Sequence, residues 1–360
     1  KPQWMTSVPR IWEAIRAAIL RNVNKGSSIK KSLFYLFLTI GQTHAELSAM
    51  VRGLMPQFRK RSKILDFVLA IIPFIILTPF KLLGDLLVFG QIRQKLGGSF
   101  RAGVSGGGAL PGHVDRFFQA AGVRILEGYG LTETAPVLSV RRFSAPVPNT
   151  IGPLLPDIDY RIIDNEGALV PPGKKGVLYV KSEQIMEGYY KRPEATAEVL
   201  KDGWLNTGDI AVMTHRGELK ILGRAKETIV LLGGENIEPV PIEEQLTQSD
   251  LIEQAMVVGQ DQKFLGALIV PNTETMEHKA MEFGISYVDA EELTEDPEII
   301  ELFHNEIQSL VNGAKGFKHF ERIFRFRLLP KPFEVGRELT HTMKIRRSVV
   351  DDLYSREIRE

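Results

Sequence analysis

Between Phe100 and Leu126 the sequence changes character every few residues, and the order of those changes leaves few folds open. Phe100-Arg-Ala-Gly-Val104 has the look of a short strand, Ser105-Gly-Gly-Gly108 of a turn, Pro111 to Ala121 of a helix, and Val123-Arg-Ile-Leu126 of a second strand. Strand, helix and strand at this spacing predict a parallel α/β layer, because parallel neighbours need a crossover and a helix is the usual one. Ligands of such layers bind beyond the carboxyl ends of the strands. Two glycine-bearing stretches fall there: 105–108, and EGYGLTETAPV from Glu127 to Val137.

The rest of the chain divides around this layer. Ile11 to Val23 has helical apolar spacing and leads into a basic tract at Lys25, Lys30 and Lys31. From Asn149 to Leu222 the segments are short and alternating, parted by Asn165-Glu-Gly167, Pro171-Pro-Gly173 and His215-Arg-Gly217, which predicts a small antiparallel barrel or sandwich. Beyond Gly223 strand and helix patterns alternate as in a compact α+β domain. The fold class expected is α/β: residues 1–150 as a partial α/β subdomain with a helical apolar insert at about 25–95, residues 151–224 as a β-barrel-like subdomain, and residues 225–360 as a mobile α+β domain. A chain of 360 residues has room for this, since a domain takes about 100 to 200.

The most apolar run is ILDFVLAIIPFIILTPF, Ile64 to Phe80, flanked by Arg59, Lys60, Arg61, Lys63 and Lys81. A spanning helix needs roughly 20 apolar residues, and Asp66 together with kinks at Pro73 and Pro79 disfavours one here. Two placements stay open: a monotopic segment in the bilayer interface, with peripheral membrane contact through 59–81, or a buried helical hairpin. The membrane surface is slightly preferred. The expected location is the cytoplasm, with peripheral contact at the cytoplasmic membrane face.

Composition removes several chemistries. There is no cysteine, hence no disulfide, thiolate metal site or cysteine nucleophile. None of the seven histidines forms an i, i+4 pair of the zinc-binding kind. A formal net charge of +1 offers no field for nucleic acid. Gly103-Val-Ser105-Gly-Gly107 matches the G-x-S-x-G nucleophile elbow, but that elbow requires a helix directly after the serine, and three glycines stand there instead. Gly128-Tyr-Gly130 begins a G-x-G-x-x-G that fails at Glu133. Thr132, Glu133 and Thr134 offer hard oxygens suited to Mg²⁺ and phosphate, as do many solvated loops.

Other motifs follow in order: Gly203-Trp-Leu-Asn-Thr-Gly-Asp209, Gly223-Arg-Ala-Lys-Glu227, Gly233-Gly-Glu-Asn-Ile-Glu-Pro239 and Leu339-Thr-His-Thr-Met-Lys344. With EGYGLTETAPV, this set resembles the adenylate-forming superfamily of acyl-CoA synthetases, nonribosomal-peptide adenylation domains and luciferases, across Ser105 to Lys344. The opening MTSVPRIWEAI and the helical insert look most like long-chain fatty acyl-CoA synthetases.

The resemblance implies ATP, Mg²⁺ and coenzyme A as reactants beside a fatty acid. It places Gly106, Gly107, Gly108 and Ala109 along the adenine, with Tyr129 against its ring and Gly130 beside it. Thr132 would meet phosphate, Glu133 would hold Mg²⁺, Asp209 would accept from both ribose hydroxyls, and Arg224 would add a charged clamp. Lys344 matches the lysine that bridges the attacking carboxylate and the α-phosphate region. Lys226 occupies the hinge position, and Gly233 and Gly234 would approach the pantetheine thiol.

The family's phosphate loop, of the TSGTTGxPKG kind, is absent from the sequence, and the resemblance places it upstream of Lys1. The chain is therefore expected to be the C-terminal portion of a long-chain fatty acid:CoA ligase. The alternatives are a catalytically incompetent fragment or membrane- or partner-binding module, and an enzyme that loads a carrier protein instead of coenzyme A.

Overall fold

The computed structural model describes residues 2–359, in two units, Lys1–Ile221 and Leu222–Glu360. The first unit opens with β1 (Trp4–Ser7), α1 (Pro9–Asn24), α2 (Ser28–Val51), α3 (Lys63–Gly84) and α4 (Gly90–Lys95), and continues with β2 (Ala102–Ser105), α5 (Gly112–Ala120), β3 (Arg124–Gly130) and β4 (Val137–Val140). The predicted parallel layer is present. The strands lie in the order β1-β2-β3-β4, with β2 parallel to both β1 and β3 and β4 antiparallel to β3.

Close packing explains why this layer is glycine-rich. A Cβ on Gly103 would lie 2.2 Å from the ring of Trp12, which is fully buried under the sheet. Val114, Phe117 and Phe118 on one side of α5 are buried in the same cluster, so the helical spacing read from Pro111 to Ala121 is the spacing of its core face.

The apolar run forms α3, and it departs from expectation in two respects. The helix continues through Pro73 and Pro79, then through a π-helical turn at Asp85–Phe89 into α4, a continuous stretch of 33 residues from Lys63 to Lys95. Both prolines are exposed, and so are Leu69 and Ile75 four residues before them, whose carbonyls lose their helical donors. Secondly, the buried-hairpin reading fails. α2 and α3 do pair as a hairpin, so closely that a Cβ on Gly84 would sit 2.8 Å from Phe37, but the outer side of α3 is open.

The segments from 151 onward build an antiparallel sheet: β5 (Asp159–Ile163), β6 (Lys175–Lys181), α6 (Pro193–Val199), β7 (Leu200–Lys201), β8 (Trp204–Met213) and β9 (Leu219–Arg224), which crosses the boundary between the units at Ile221. The order is β5-β6-β8-β7, with β9 also on β8. The motif 203–209 lies, from Trp204 on, within β8 itself. Ser139 of β4 donates to the carbonyls of Gly152 and Pro153, and Gly152 bridges Leu219, which joins this sheet to the parallel layer.

The second unit contains β10 (Ile229–Val230), β11 (Asn236–Ile237), α7 (Pro239–Leu246), β12 (Ile252–Val258), β13 (Leu265–Pro271), α8 (Thr273–Phe283), α9 (Pro297–Leu310), β14 (Ile323–Leu328), α10 (Arg347–Leu353) and α11 (Ser355–Arg359). β13 is the central strand, antiparallel to β12 and parallel to β14. Asn272 and Asp296 cap α8 and α9 by accepting N–H groups of their first turns.

Candidate functional site

The stretch EGYGLTETAPV spans the end of β3, a single 3-10 turn at Thr132–Thr134, and the start of β4. The two strands fold back tightly here: a Cβ on Gly130 would lie 1.8 Å from the carbonyl oxygen of Pro136, so only glycine fits. Thr134 is buried and belongs to the turn itself, its hydroxyl donating to the carbonyls of Leu131 and Pro136 while accepting the Leu131 N–H. That leaves Thr132 exposed and Glu133 half-buried, facing outward. Gln184 donates to the carbonyls of Thr134 and Val137, Met186 N–H to that of Glu133, and the Tyr189 hydroxyl to Glu133 Oε1 at 2.8 Å.

Tyr129 and Asp209 come together from different sheets. Asp209, buried in β8, accepts the Tyr129 hydroxyl at 2.6 Å, within the range of a charge-assisted bond. Thr207 and Asn206 shape the strand around it: the Asp209 N–H donates to Thr207 Oγ1 and the Gly208 N–H to Asn206 Oδ1, while Gly208 takes φ +69°.

The glycine loop 106–109 leaves β2 beside Gly128. Gly107 requires glycine for its φ of +80°, whereas a Cβ on Gly106 would meet only the Gly128 carbonyl at 3.6 Å, so the protein leaves room for a flat ligand against this backbone. Ser105, offered by the elbow pattern, is fully buried and the next helix starts only at Gly112, which rules out an exposed serine nucleophile.

Sequence reasoning missed the group that fixes this loop. Glu127 Oε1 accepts the Leu110 N–H at 3.0 Å, and its Oε2 accepts from Arg141 at 3.1 Å. Arg141 also donates to Asp115 at 2.8 Å and to the Thr150 carbonyl at 2.8 Å. Burial pushes the Glu127 carboxyl above its usual range against the opposing pull of Arg141. Three charged residues scattered over Asp115, Glu127 and Arg141 carry no local pattern, which is why the sequence did not disclose them.

No cluster of three or more acidic or histidine ligands occurs among the described residues. Glu133 still suits Mg²⁺, which is commonly held by one or two carboxylates together with substrate phosphates.

The remaining candidates fall at or beyond the end of β9. Arg224 is its last residue, and Lys226 is exposed in the 3-10 turn Ala225–Glu227 that follows. Gly233 and Gly234 make the turn between β10 and β11, with Gly234 at φ +85°. Lys344 is exposed at the close of a tight loop: the Thr340 N–H donates to its carbonyl at 2.8 Å, and its own N–H to Thr340 Oγ1 at 3.0 Å. The loop is tethered by the Arg346 N–H to the Glu338 carbonyl, and Arg347 binds Glu243. Burial raises the Glu243 pKa, and Arg347 opposes the shift.

Comparison with known proteins bears on the family and the fold. Residues 1–190 match the AMP-binding enzyme family, and 226–360 match the AMP-binding enzyme C-terminal domain. Over 99% of its length the chain is 37% identical to "Probable acyl-activating enzyme 16, chloroplastic" of Arabidopsis thaliana, covering 51% of it. It is 34% identical to a chloroplastic long-chain-fatty-acid–[acyl-carrier-protein] ligase of the same plant, with 99% of this chain and 49% of that protein covered. A long-chain-fatty-acid–CoA ligase of Mycobacterium bovis is 33% identical, at 99% and 54% coverage. The chain thus spans about half the length of the curated relatives it matches. Among solved structures, the adenylation and carrier didomain of a carboxylic acid reductase from Segniliparus rugosus, in complex with AMP, superposes with a TM-score of 0.68 at 20% identity, over 99% of this chain and 41% of that one, a likeness of fold. On its motifs, its fold and these matches, the chain belongs to the AMP-binding, adenylate-forming enzyme family.

Proposed function

We propose that the chain is the part of a long-chain fatty acid:CoA ligase that holds the nucleoside and drives the domain exchange between two half-reactions. A fatty acid carboxylate attacks the α-phosphate of ATP, forming acyl-AMP and expelling pyrophosphate. The thiol of coenzyme A then attacks the acyl carbonyl, loses its proton and displaces AMP. Both steps turn on handling negative charge, so placed donors and cations dominate.

The observation that carries this reading is the Tyr129–Asp209 bond, which joins two motifs 80 residues apart in one place. In this reading Asp209 accepts the ribose hydroxyls and Tyr129 lies along the adenine with the open backbone of Gly106 to Ala109. Thr132 contacts phosphate, and Glu133, steadied by Tyr189, holds Mg²⁺, which neutralises phosphate charge. Arg224 clamps the nucleotide, Lys344 bridges carboxylate and α-phosphate, Lys226 is the hinge, and Gly233 and Gly234 pass the pantetheine arm.

Pyrophosphate release with palmitate, ATP and Mg²⁺ by the full-length enzyme is the test. Lys344→Ala should abolish release yet leave thioester formation from supplied acyl-AMP largely intact. Equal loss of both activities contradicts its role. Lys226→Pro should spare acyl-AMP formation and block the second step. A carrier protein is a second reading, favoured by the 34% identity to an acyl-carrier-protein ligase. Offering free coenzyme A against a phosphopantetheinyl carrier decides between them.

A further inference from the structure

α3 is built inside out. Beyond Lys63, the charged residues of α3 and of the π-helical turn that continues it are turned toward the fold and paired: Asp66 with Arg61 at 2.6 Å, and Asp85 with Lys81 at 2.6 Å and Arg93 at 2.7 Å. The same inner side carries Thr78, bonded to His44 of α2, and Phe74, on which the His44 ring stacks at 4.6 Å. The outer side is apolar throughout. Ile64 is 77% exposed, Leu69 60%, Ile72 65%, Ile76 58% and Leu86 77%. From Ile64 to Leu87, about 36 Å of helix at 1.5 Å per residue, no charged side chain is exposed.

Cations stand at both ends of this strip. Arg59, Lys60 and Lys63 are exposed before it and Lys95 after it. Lys30 and Lys31 are exposed in the first turn of α2, whose Phe37 packs against Gly84.

We infer that the outer face of α3 docks on an anionic lipid bilayer, lying in the plane of one leaflet with its terminal lysines and arginines among the headgroups. An unbroken apolar strip with basic ends has the chemistry of an interfacial helix. A protein partner would ordinarily find polar atoms to bond, about one pair per 100–200 Å² of contact, and this strip offers no charged side chain along its length. α2 lines the inner side of α3, so the helix presents one face and not a bare cylinder to lipid. The inference lies beyond the ligase reading and does not depend on it.

The test is flotation of the full chain, without nucleotide or fatty acid, on vesicles of phosphatidylcholine mixed equally with phosphatidylglycerol, and on phosphatidylcholine alone. The chain should float with the anionic vesicles and weakly or not at all with the neutral ones, and added salt should release it. Ile72→Glu combined with Ile76→Glu should lower the bound fraction about tenfold, whereas Val288→Glu, at an 87% exposed site in the second unit, should not. Because positions 72 and 76 are exposed, the double variant should melt at the wild-type temperature, and that melt is the folding control.

Since the chain has no cysteine, single cysteines report geometry cleanly. On vesicles, Lys60→Cys and Lys95→Cys should both react with an impermeant maleimide, while Ile76→Cys should be protected. Flotation unaffected by the double substitution, protection of one end only, or a dimer broken by the substitution without lipid binding would each overturn the inference. None of these results would touch the ligase assays.

Discussion

α5 and α3 both pack on α2 in the same unit, yet they are turned in opposite senses. α5 buries Phe117 and Phe118 and exposes Arg116, whereas α3 exposes Ile72 and Ile76 and turns Asp66 inward, as the π-helical turn after it does Asp85. Each also pairs an acid with a base, but Asp115 and Arg141 are almost wholly buried, while Asp85 and Lys81 keep contact with water. Hydrophobicity alone therefore did not decide burial here. What decided it was which side of each helix had a partner to pack on.

The contrast can be broken by substitution. Phe118→Ala should cost about 3–5 kcal/mol in denaturant unfolding, while Ile72→Ala, larger in hydropathy change than many core substitutions, should stay within about 0.5 kcal/mol. A large loss at Ile72 would mean that the outer side of α3 is covered. Arg141→Met should cost a similar ~3–5 kcal/mol because it strands Asp115 and Glu127 without their cation. Lys81→Met, at a wetter pair, should cost about 1 kcal/mol or less. Tyr129→Phe comes next: loss of its bond to Asp209 should destabilise the first unit by about 1.5–3 kcal/mol.

A pH-dependent effect concerns His113 on α5, whose pKa is lowered to about 3 by burial first and then by Arg16 and Arg116. The unfolded chain takes up this proton near pH 6.5 and the folded one does not, so stability is intact above about pH 6.5 and falls as the pH drops toward 3. By pH 5.5 the loss should be about 1 kcal/mol relative to pH 8. His113→Phe should flatten that limb of a melting-temperature profile, and an unchanged slope would assign it to other groups.

Much of this was legible without coordinates. The strand, turn, helix and strand from Phe100 to Leu126 and the alternation after residue 149 both rest on neighbours within one or two turns of chain, and local periodicity records such neighbours faithfully. The order of motifs from EGYGLTETAPV to Lys344 likewise pointed to the family. Prolines misled because their cost depends on whether the freed carbonyls are buried, and at Pro73 and Pro79 they fall on the open side of the helix. The Tyr129–Asp209 bond and the Asp115–Arg141–Glu127 group were beyond reach for a related reason. They join residues from different strands and helices, and no one-dimensional spacing encodes that proximity. Composition could say that residues 64–80 are apolar, but only the packing of α2 along one side of α3 determined which atoms of that helix were left to meet something else.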